Sequence, residues 1–212
     1  LMNFLAHLLL GSASAEQALG SMLGDFVKGP VHQLDLPEAV RGGVWLHRRI
    51  DSYTDAHPLV LQSKARISLE RRRFAGILVD MFYDHLLARH WASFTDRPLD
   101  DFSRDVYCQL RAQRALMPER AWTVVSYMSE QDWLGSYAEL KHLHRAVDNM
   151  ARRFRRETAM PGGVAELEAA HHGFESDFLA FMPELQRFAE GQAAALTSAD
   201  SLLDLPPSKP SA

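Results

Sequence analysis

The segment RRRFAGILVDMFYDHLLARHW, residues 71–91, decides the fold class that this sequence predicts. Its apolar residues recur at heptad spacing from Ile77 to Trp91, which is the pattern of an amphipathic α-helix with one face in the core. Asp84 falls on this apolar seam, and His85 lies on the edge of the same face. A carboxylate in a core stripe is costly unless a cation, a metal or a strong set of hydrogen bonds compensates it.

Helical periodicity continues along the rest of the chain, and no segment shows the strict apolar–polar alternation of strands joined by hairpin turns. We therefore predict an all-α, single-domain helical bundle. The predicted domain covers residues 2–190, and residues 191–212, rich in Ser, Pro and Ala, are expected to form a flexible C-terminal tail. The predicted helices are 2–12, 15–28, 37–56, 59–70, 72–94, 99–115, 118–131, 135–155 and 163–190.

Composition narrows the class of protein further. With 212 residues and 47% hydrophobic content, the chain can bury a sizeable single core. A formal net charge of -4 gives no sign of a nucleic-acid binder, and the single Cys108 excludes an internal disulfide or a multi-cysteine zinc site. The apolar run at residues 4–10 is too short to span a bilayer and follows no basic segment. We expect a cytoplasmic protein without a membrane segment.

Two other predicted helices carry polar residues where core residues belong. In AVRGGVWLHRRIDSYTDAH, residues 39–57, the apolar seam leads at matching spacing to His47 and Asp51, which stand one turn apart and can meet one ion together. Asp25 adjoins the buried face of the second predicted helix, and His7 lies among apolar residues of the first.

Convergence of Asp and His from several helices is typical of a divalent ion held inside a bundle. Such an ion lowers the pKa of a bound water and neutralises charge on phosphoryl oxygens, which favours hydrolysis. The alternative is a set of structural ion pairs, since Arg48, Arg49 and Arg89 are close in sequence to these residues. For His7 alone, a hydrogen-bonded core histidine is the more common interpretation.

Four stretches of this sequence resemble the acyl carrier protein phosphodiesterase family: MNFLAHL at 2–8, GDFVKG at 24–29, LHRRIDSYTD at 46–55 and DMFYDHLLARHW at 80–91. VSYMSEQDWL at 125–134 is compatible with the resemblance. The resemblance implies an all-helical, divergent relative of the His-Asp phosphohydrolases that depends on a divalent metal, typically Mn(2+), with Mg(2+) or Fe(2+) as alternatives. It also implies that the enzyme removes 4'-phosphopantetheine from holo acyl carrier protein to give the apo form.

Transferred to matching positions, the resemblance implies functional roles for Asp25, His47, Asp51, Asp84 and His85. As a hypothesis, Asp25, His47, Asp84 and His85 bind the metal, and Asp51 orients His47 or completes the shell. His7 is a candidate acid for the leaving serine oxygen. The chain departs from the expected pattern at Leu9, where a second histidine of the first helix would stand, and in the reversed order of Asp84 and His85.

Acyl carrier proteins are acidic, so an enzyme that acts on them should present basic residues. Lys28, Arg48 and Arg49 lie in sequence beside the proposed site, where they would meet phosphate. Two further clusters are candidate docking surfaces, although each could also be an ordinary solvated helix face. They are Arg71, Arg72 and Arg73, and Arg152, Arg153, Arg155 and Arg156.

Large aromatic side chains are a further candidate feature, as the lining of a slot for the pantetheine arm. Core packing is their other interpretation, because such side chains bury a large area. They are Trp45, Phe82, Tyr83, Trp91, Trp122 and Trp133.

Two other functions fit the same residues. One is a His-Asp phosphohydrolase that acts on a nucleotide or alarmone, which would require a pocket for the base. The other is a helical protein that binds the carrier without turnover. Metal analysis and an assay for release of the prosthetic group would separate them from the phosphodiesterase.

Overall fold

The structure, a computed structural model, describes residues 4–152, 154, 158–198 and 202. Within this part of the chain it contains eleven α-helices and no strand, which confirms the predicted all-α class. None of the helices described there is long and apolar enough to cross a membrane. The helices are α1 (Phe4–Gly11), α2 (Ala15–Leu23), α3 (Glu38–Ala56), α4 (Pro58–Arg66), α5 (Ala75–Arg89), α6 (Leu99–Ala112), α7 (Glu119–Glu130), α8 (Trp133–Ser136), α9 (Leu140–Ala151), α10 (Val164–Ala169) and α11 (His171–Ser198).

Helix α5 lies at the centre of the fold, more completely buried than the one apolar face predicted from its sequence. Its residues Leu78, Val79, Phe82 and Leu86 have no exposed surface, and Asp84 is equally inaccessible. Helices α1, α4, α9 and α11 pack around it. The central helix therefore carries a carboxylate into the contact with α1.

Several helix boundaries differ from the prediction. The predicted helix at 135–155 divides into α8 and α9, and the predicted helix at 163–190 divides at Ala170. Asp132 sets the start of α8, because it adopts a left-handed conformation (φ 44°) and its side chain accepts a hydrogen bond from the N–H of Gly135. Helix α11 continues to Ser198, past the predicted start of the tail. Except for Leu202, the rest of that predicted tail lies outside the described residues.

Helices α2 and α3 approach each other along a seam of glycines. A Cβ atom at Gly20 would lie 2.2 Å from the carbonyl oxygen of Val40 and 2.6 Å from the Cα of Gly43. A Cβ atom at Gly43 would lie 2.5 Å from the carbonyl oxygen of Gln17. Only glycine permits so close an approach of two backbones. The seam places the end of α2, and with it Asp25, against the part of α3 that bears His47.

Candidate metal centre

Asp51 bridges the Nε2 atoms of two imidazole rings that stack on each other. Its Oδ1 is 3.0 Å from Nε2 of His7, and its Oδ2 is 3.3 Å from Nε2 of His47. The His7 and His47 rings are nearly parallel (17°), and their centroids are 3.8 Å apart. Both imidazoles are almost fully buried, whereas a quarter of the Asp51 side chain is exposed. The cluster thus has a buried nitrogen side and a carboxylate at its opening.

Asp25 reaches the same cluster from the turn that follows α2. Its Oδ1 lies 3.8 Å from Nε2 of His47. The preceding residue, Gly24, is in contact with the His47 ring, because a Cβ atom built there would lie 2.2 Å from it. The His47 imidazole can therefore occupy this position only because Gly24 has no side chain.

Arg48 holds the loop beyond Asp25 in place. Its Nη1 donates to the carbonyl oxygen of Gly29 at 2.7 Å, and its Nη2 donates to that of Val27 at 3.0 Å. Only 3% of Arg48 is exposed. The guanidinium therefore ties residues 27–29 to α3, next to His47, and is committed to the protein backbone.

Asp84 binds the first turn of α1. Its Oδ2 accepts a hydrogen bond from the N–H of Leu5 and its Oδ1 one from the N–H of Ala6, each at 3.0 Å. These are among the N–H groups that a helix N-terminus leaves without partners. Burial raises the pKa of Asp84 to about 8, although both backbone hydrogen bonds oppose this shift. Asp84 thus fixes the backbone of α1 just before His7.

His85 faces a different part of the protein. Its Nδ1 lies 2.7 Å from the carbonyl oxygen of Tyr137 and must donate, because a carbonyl can only accept. Its Nε2 is buried and has no hydrogen-bond partner. Burial also lowers the pKa of His85.

The structure brings some of the predicted metal ligands together and separates others. Among the described residues, His7, His47 and Asp51 form the group of three histidines and acids whose ligand atoms all lie within 4.8 Å of one another. Asp25 stands at their edge. Asp84 and His85 are not part of this group; both oxygens of Asp84 accept backbone hydrogen bonds, and Nδ1 of His85 is bound to the carbonyl oxygen of Tyr137.

The ionisable side chains of the cluster strongly influence one another's pKa values. Burial acts to lower the pKa of His47, but the carboxylates of Asp25 and Asp51 outweigh it and raise that pKa to about 9. Burial and the neighbouring charge of His47 lower the pKa of His7. Burial acts to raise the pKa of Asp51, yet His7 and His47 hold it well below its usual range. His47 pairs in the same way with Asp25, whose pKa is also lowered against the effect of burial.

The donor atoms fit a divalent cation. Nε2 of His47 faces the carboxylates of Asp51 and Asp25 at 3.3 and 3.8 Å and is buried without a hydrogen bond, which is costly for a polar atom unless another group satisfies it. Two imidazoles and two carboxylates form a mixed nitrogen and oxygen set, which suits manganese, iron or zinc. A cation among these side chains would bind Nε2 of His47 and offset the negative charge of Asp25 and Asp51.

Comparison with known proteins identifies the family. The family model described as acyl carrier protein phosphodiesterase matches residues 2–185. The chain belongs to this family. It is 35% identical over 192 residues to the acyl carrier protein phosphodiesterase of Pectobacterium atrosepticum, covering 90% of this chain and 99% of that protein. The protein of the same name from Serratia proteamaculans is 36% identical over 191 residues, with 89% and 98% covered. No solved structure matches the chain.

In this member of the acyl carrier protein phosphodiesterase family, the cations predicted to bind substrate beside the site differ in availability. Lys28 is exposed at the loop that follows Asp25. Arg48 is buried and bound to backbone carbonyls, as described above. Arg49 donates to Oε1 of Gln192 at 2.9 Å, and its guanidinium lies over the ring of Trp45. Lys28 is therefore the one of these three that can meet an incoming phosphate without first losing a partner.

The predicted docking cluster at residues 71–73 also carries structural contacts. Arg71 pairs with Glu166 at 3.3 Å, and Arg72 donates to the carbonyl oxygen of Ile67. Arg73 is exposed and its guanidinium lies 5.4 Å from the ring centre of Phe74. In the second cluster, Arg152 ends α9, whereas Arg153, Arg155 and Arg156 lie outside the described residues.

Most of the predicted aromatic residues belong to the core. Trp45, Phe82, Tyr83 and Trp91 are at most 6% exposed, which matches the core interpretation. Trp122 and Trp133 are partly exposed.

Sequence reasoning missed the glycines and the role of Arg48. Gly20, Gly24 and Gly43 lie inside or at the end of predicted helices, where glycine is unfavourable without a packing reason. The unfavourable free energy of glycine inside a helix is the signal in the sequence that could have indicated close packing at these positions. The two loop carbonyls bound by Arg48 have no signature in the sequence.

Proposed function

We propose that this chain hydrolyses the phosphodiester that joins 4'-phosphopantetheine to the serine of holo acyl carrier protein, giving apo carrier and free 4'-phosphopantetheine. Membership of the family supports the reaction, and the relatives compared above carry the corresponding name. The observation that carries the proposal is the buried cluster of His7, His47 and Asp51, with Asp25 at its edge.

We assign a divalent cation, Mn(2+) first with Mg(2+) or Fe(2+) as alternatives, to His7, His47, Asp51 and Asp25. This assignment replaces Asp84 and His85 in the predicted ligand set. A cation there supplies positive charge for the phosphoryl oxygens and an activated water. As a ligand, His7 is not available to protonate the leaving serine oxygen.

The protein groups around the cation have separable roles in this scheme. Asp51 holds both imidazoles through its two oxygens. Asp84 positions His7 by fixing the start of α1, and Arg48 positions Asp25 by holding the loop that follows it. Lys28 is exposed three residues after Asp25, and we assign it the contact with the phosphate of the carrier.

The proposal is tested by incubating holo acyl carrier protein with the chain and Mn(2+), and then measuring the mass of the carrier by mass spectrometry. We expect loss of the whole prosthetic group, no loss in the presence of a chelator, and no loss with His47→Gln that remains folded. His32→Gln is a matched control, because His32 is exposed on the surface. Intact holo carrier after incubation with Mn(2+), Mg(2+) or Fe(2+) would contradict the proposal, as would release that the chelator leaves unchanged.

A further inference from the structure

A second cleft lies on another part of the molecule, between the corner of α7 and α8 and one face of α9. Its volume is about 310 Å³, which is within the range of small-molecule sites. It shares no lining residue with the candidate metal centre. The lining residues are Gln131, Trp133, Ser136, Tyr137, His142, Arg145, Ala146, Asn149 and Met150.

One wall of the cleft is a single face of α9. His142, Arg145, Ala146 and Asn149 follow the spacing of three and four residues that places side chains on one side of a helix. The opposite face of α9 is in the core, where Leu143 is fully buried. Packing of Leu143 in the core therefore fixes α9, and with it the positions of the polar residues that line the cleft.

The other wall is aromatic and also anchored. Tyr137 is 5% exposed, and its carbonyl oxygen accepts the hydrogen bond from Nδ1 of His85 in the central helix. The indole N–H of Trp133 donates to Oε1 of Gln131 at 3.2 Å. Together with Met150 and Ala146, the two rings form an apolar body for the cleft.

The open rim is cationic. Arg145 is exposed, and among the described residues it has no ion-pair or hydrogen-bond partner. His142 lines the cleft one turn before it. Arg152 follows at the end of the same helix, with its Nη1 3.5 Å from Oδ1 of Asn149. An unpaired guanidinium beside an apolar wall suits an anion joined to an apolar body.

We propose that this cleft is a second, non-catalytic binding site for a phosphomonoester that carries an amide-containing aliphatic chain, the chemistry of 4'-phosphopantetheine. The phosphate meets Arg145 and His142, the aliphatic part lies against Trp133 and Tyr137, and the side-chain amide of Asn149 or Gln131 pairs with an amide of the chain. The choice of this phosphomonoester rests on the proposed function, because it is the product released there. The site then holds product away from the metal centre.

Isothermal titration calorimetry tests the inference in the presence of chelator, and again with His47→Gln, so that the metal centre contributes nothing. The probes are 4'-phosphopantetheine, pantetheine and inorganic phosphate. We expect 1:1 binding of 4'-phosphopantetheine at least tenfold tighter than that of the other two probes. Arg145→Gln should remove the advantage over pantetheine, and Ala146→Trp, which fills the cleft, should abolish binding. Arg120→Gln is the matched control, because Arg120 is exposed on α7 outside the cleft.

Equal affinity for 4'-phosphopantetheine and pantetheine would overturn the inference, because the cationic rim would then contribute nothing. Equal affinity for inorganic phosphate would overturn it as well, since the apolar walls would be irrelevant. Binding that Arg145→Gln and Ala146→Trp leave unchanged would place the ligand elsewhere. The titrations use no carrier protein, so their outcome is independent of whether holo carrier is cleaved.

Discussion

A Cβ atom at Gly24 would lie 2.2 Å from the imidazole ring of His47, inside the van der Waals contact distance of the two groups. The ring also stacks on that of His7, whose centroid is 3.8 Å away. The position of His47 is therefore limited both by the backbone at Gly24 and by a second ligand candidate.

Gly24→Ala should displace the His47 ring and weaken the binding of Mn(2+) at least tenfold. The change adds one methyl group and no charge, so the loss would report geometry alone. Metal titration calorimetry measures the effect. Gly191→Ala on α11 is the matched control, because a Cβ atom there meets nothing within 4 Å, and its effect on stability should stay within about 1 kcal/mol. Unchanged metal affinity in Gly24→Ala would show that His47 is not a ligand.

Asp84→Ala should lower the free energy of unfolding by about 2–4 kcal/mol, because two backbone N–H groups lose their acceptor in the core. Denaturant titration with chelator present measures this loss. Asp84→Asn should lose less, since its amide oxygen can still accept one of the two hydrogen bonds. A variant with wild-type stability and no metal binding would instead identify Asp84 as a direct ligand.

Metal binding should release about one proton at pH 7. The pKa of His47 is raised to about 9, so the imidazole is protonated in the metal-free protein and must lose that proton to bind a cation. Calorimetry in buffers of different ionisation enthalpy counts the proton, and the count should fall in His47→Gln. Without metal, the stability due to the charged His47 is present below its ordinary pKa of 6.5 and is lost as pH rises through about 9.

Arg48→Lys should weaken metal binding while keeping the charge. A lysine ammonium is a compact donor and cannot span the carbonyls of Val27 and Gly29 as the guanidinium does. Hydrogen exchange should show faster opening of residues 25–29. Arg41→Lys, next to the same loop region but bound to the carbonyl of His32, serves for comparison. If both variants bind metal equally well, Arg48 does not position Asp25.

Arg73→Glu should raise the Michaelis constant for holo carrier and make it more dependent on salt, with little effect on kcat. An exposed cation contributes mainly to the encounter of charged partners. Arg71→Glu should also lower the melting temperature, because Arg71 pairs with Glu166. Kinetics at two ionic strengths separate the effects. A Michaelis constant that does not move in Arg73→Glu would remove this cluster as a docking surface.

The sequence was sufficient for the fold class because helical periodicity is a local signal. Asp84 shows where such reasoning stops: the heptad seam placed its carboxylate in the core and required a compensating group, and that requirement was correct. The compensating group is the backbone of α1, which is 78 and 79 residues away in the chain. Periodicity cannot distinguish a helix N-terminus from a metal as the partner of a buried carboxylate.

The metal centre was predicted in part for a similar reason. The spacing of His47 and Asp51 is internal to α3 and could be read directly. The contribution of His7 depends on how α1 crosses α3, and the close approach of Asp25 depends on the glycine seam between α2 and α3. Both are tertiary relationships that a single sequence does not encode as a motif.

All four proposed ligands lie at or before Asp51 in the chain, whereas Asp84, which anchors α1, lies in α5. A ribosome therefore releases His7, Asp25, His47 and Asp51 well before it releases Asp84. Until α5 has emerged, the N–H groups of Leu5 and Ala6 lack the acceptor that anchors the first helix. The first ligand-bearing helix is thus anchored at its start only when the central helix has joined the fold.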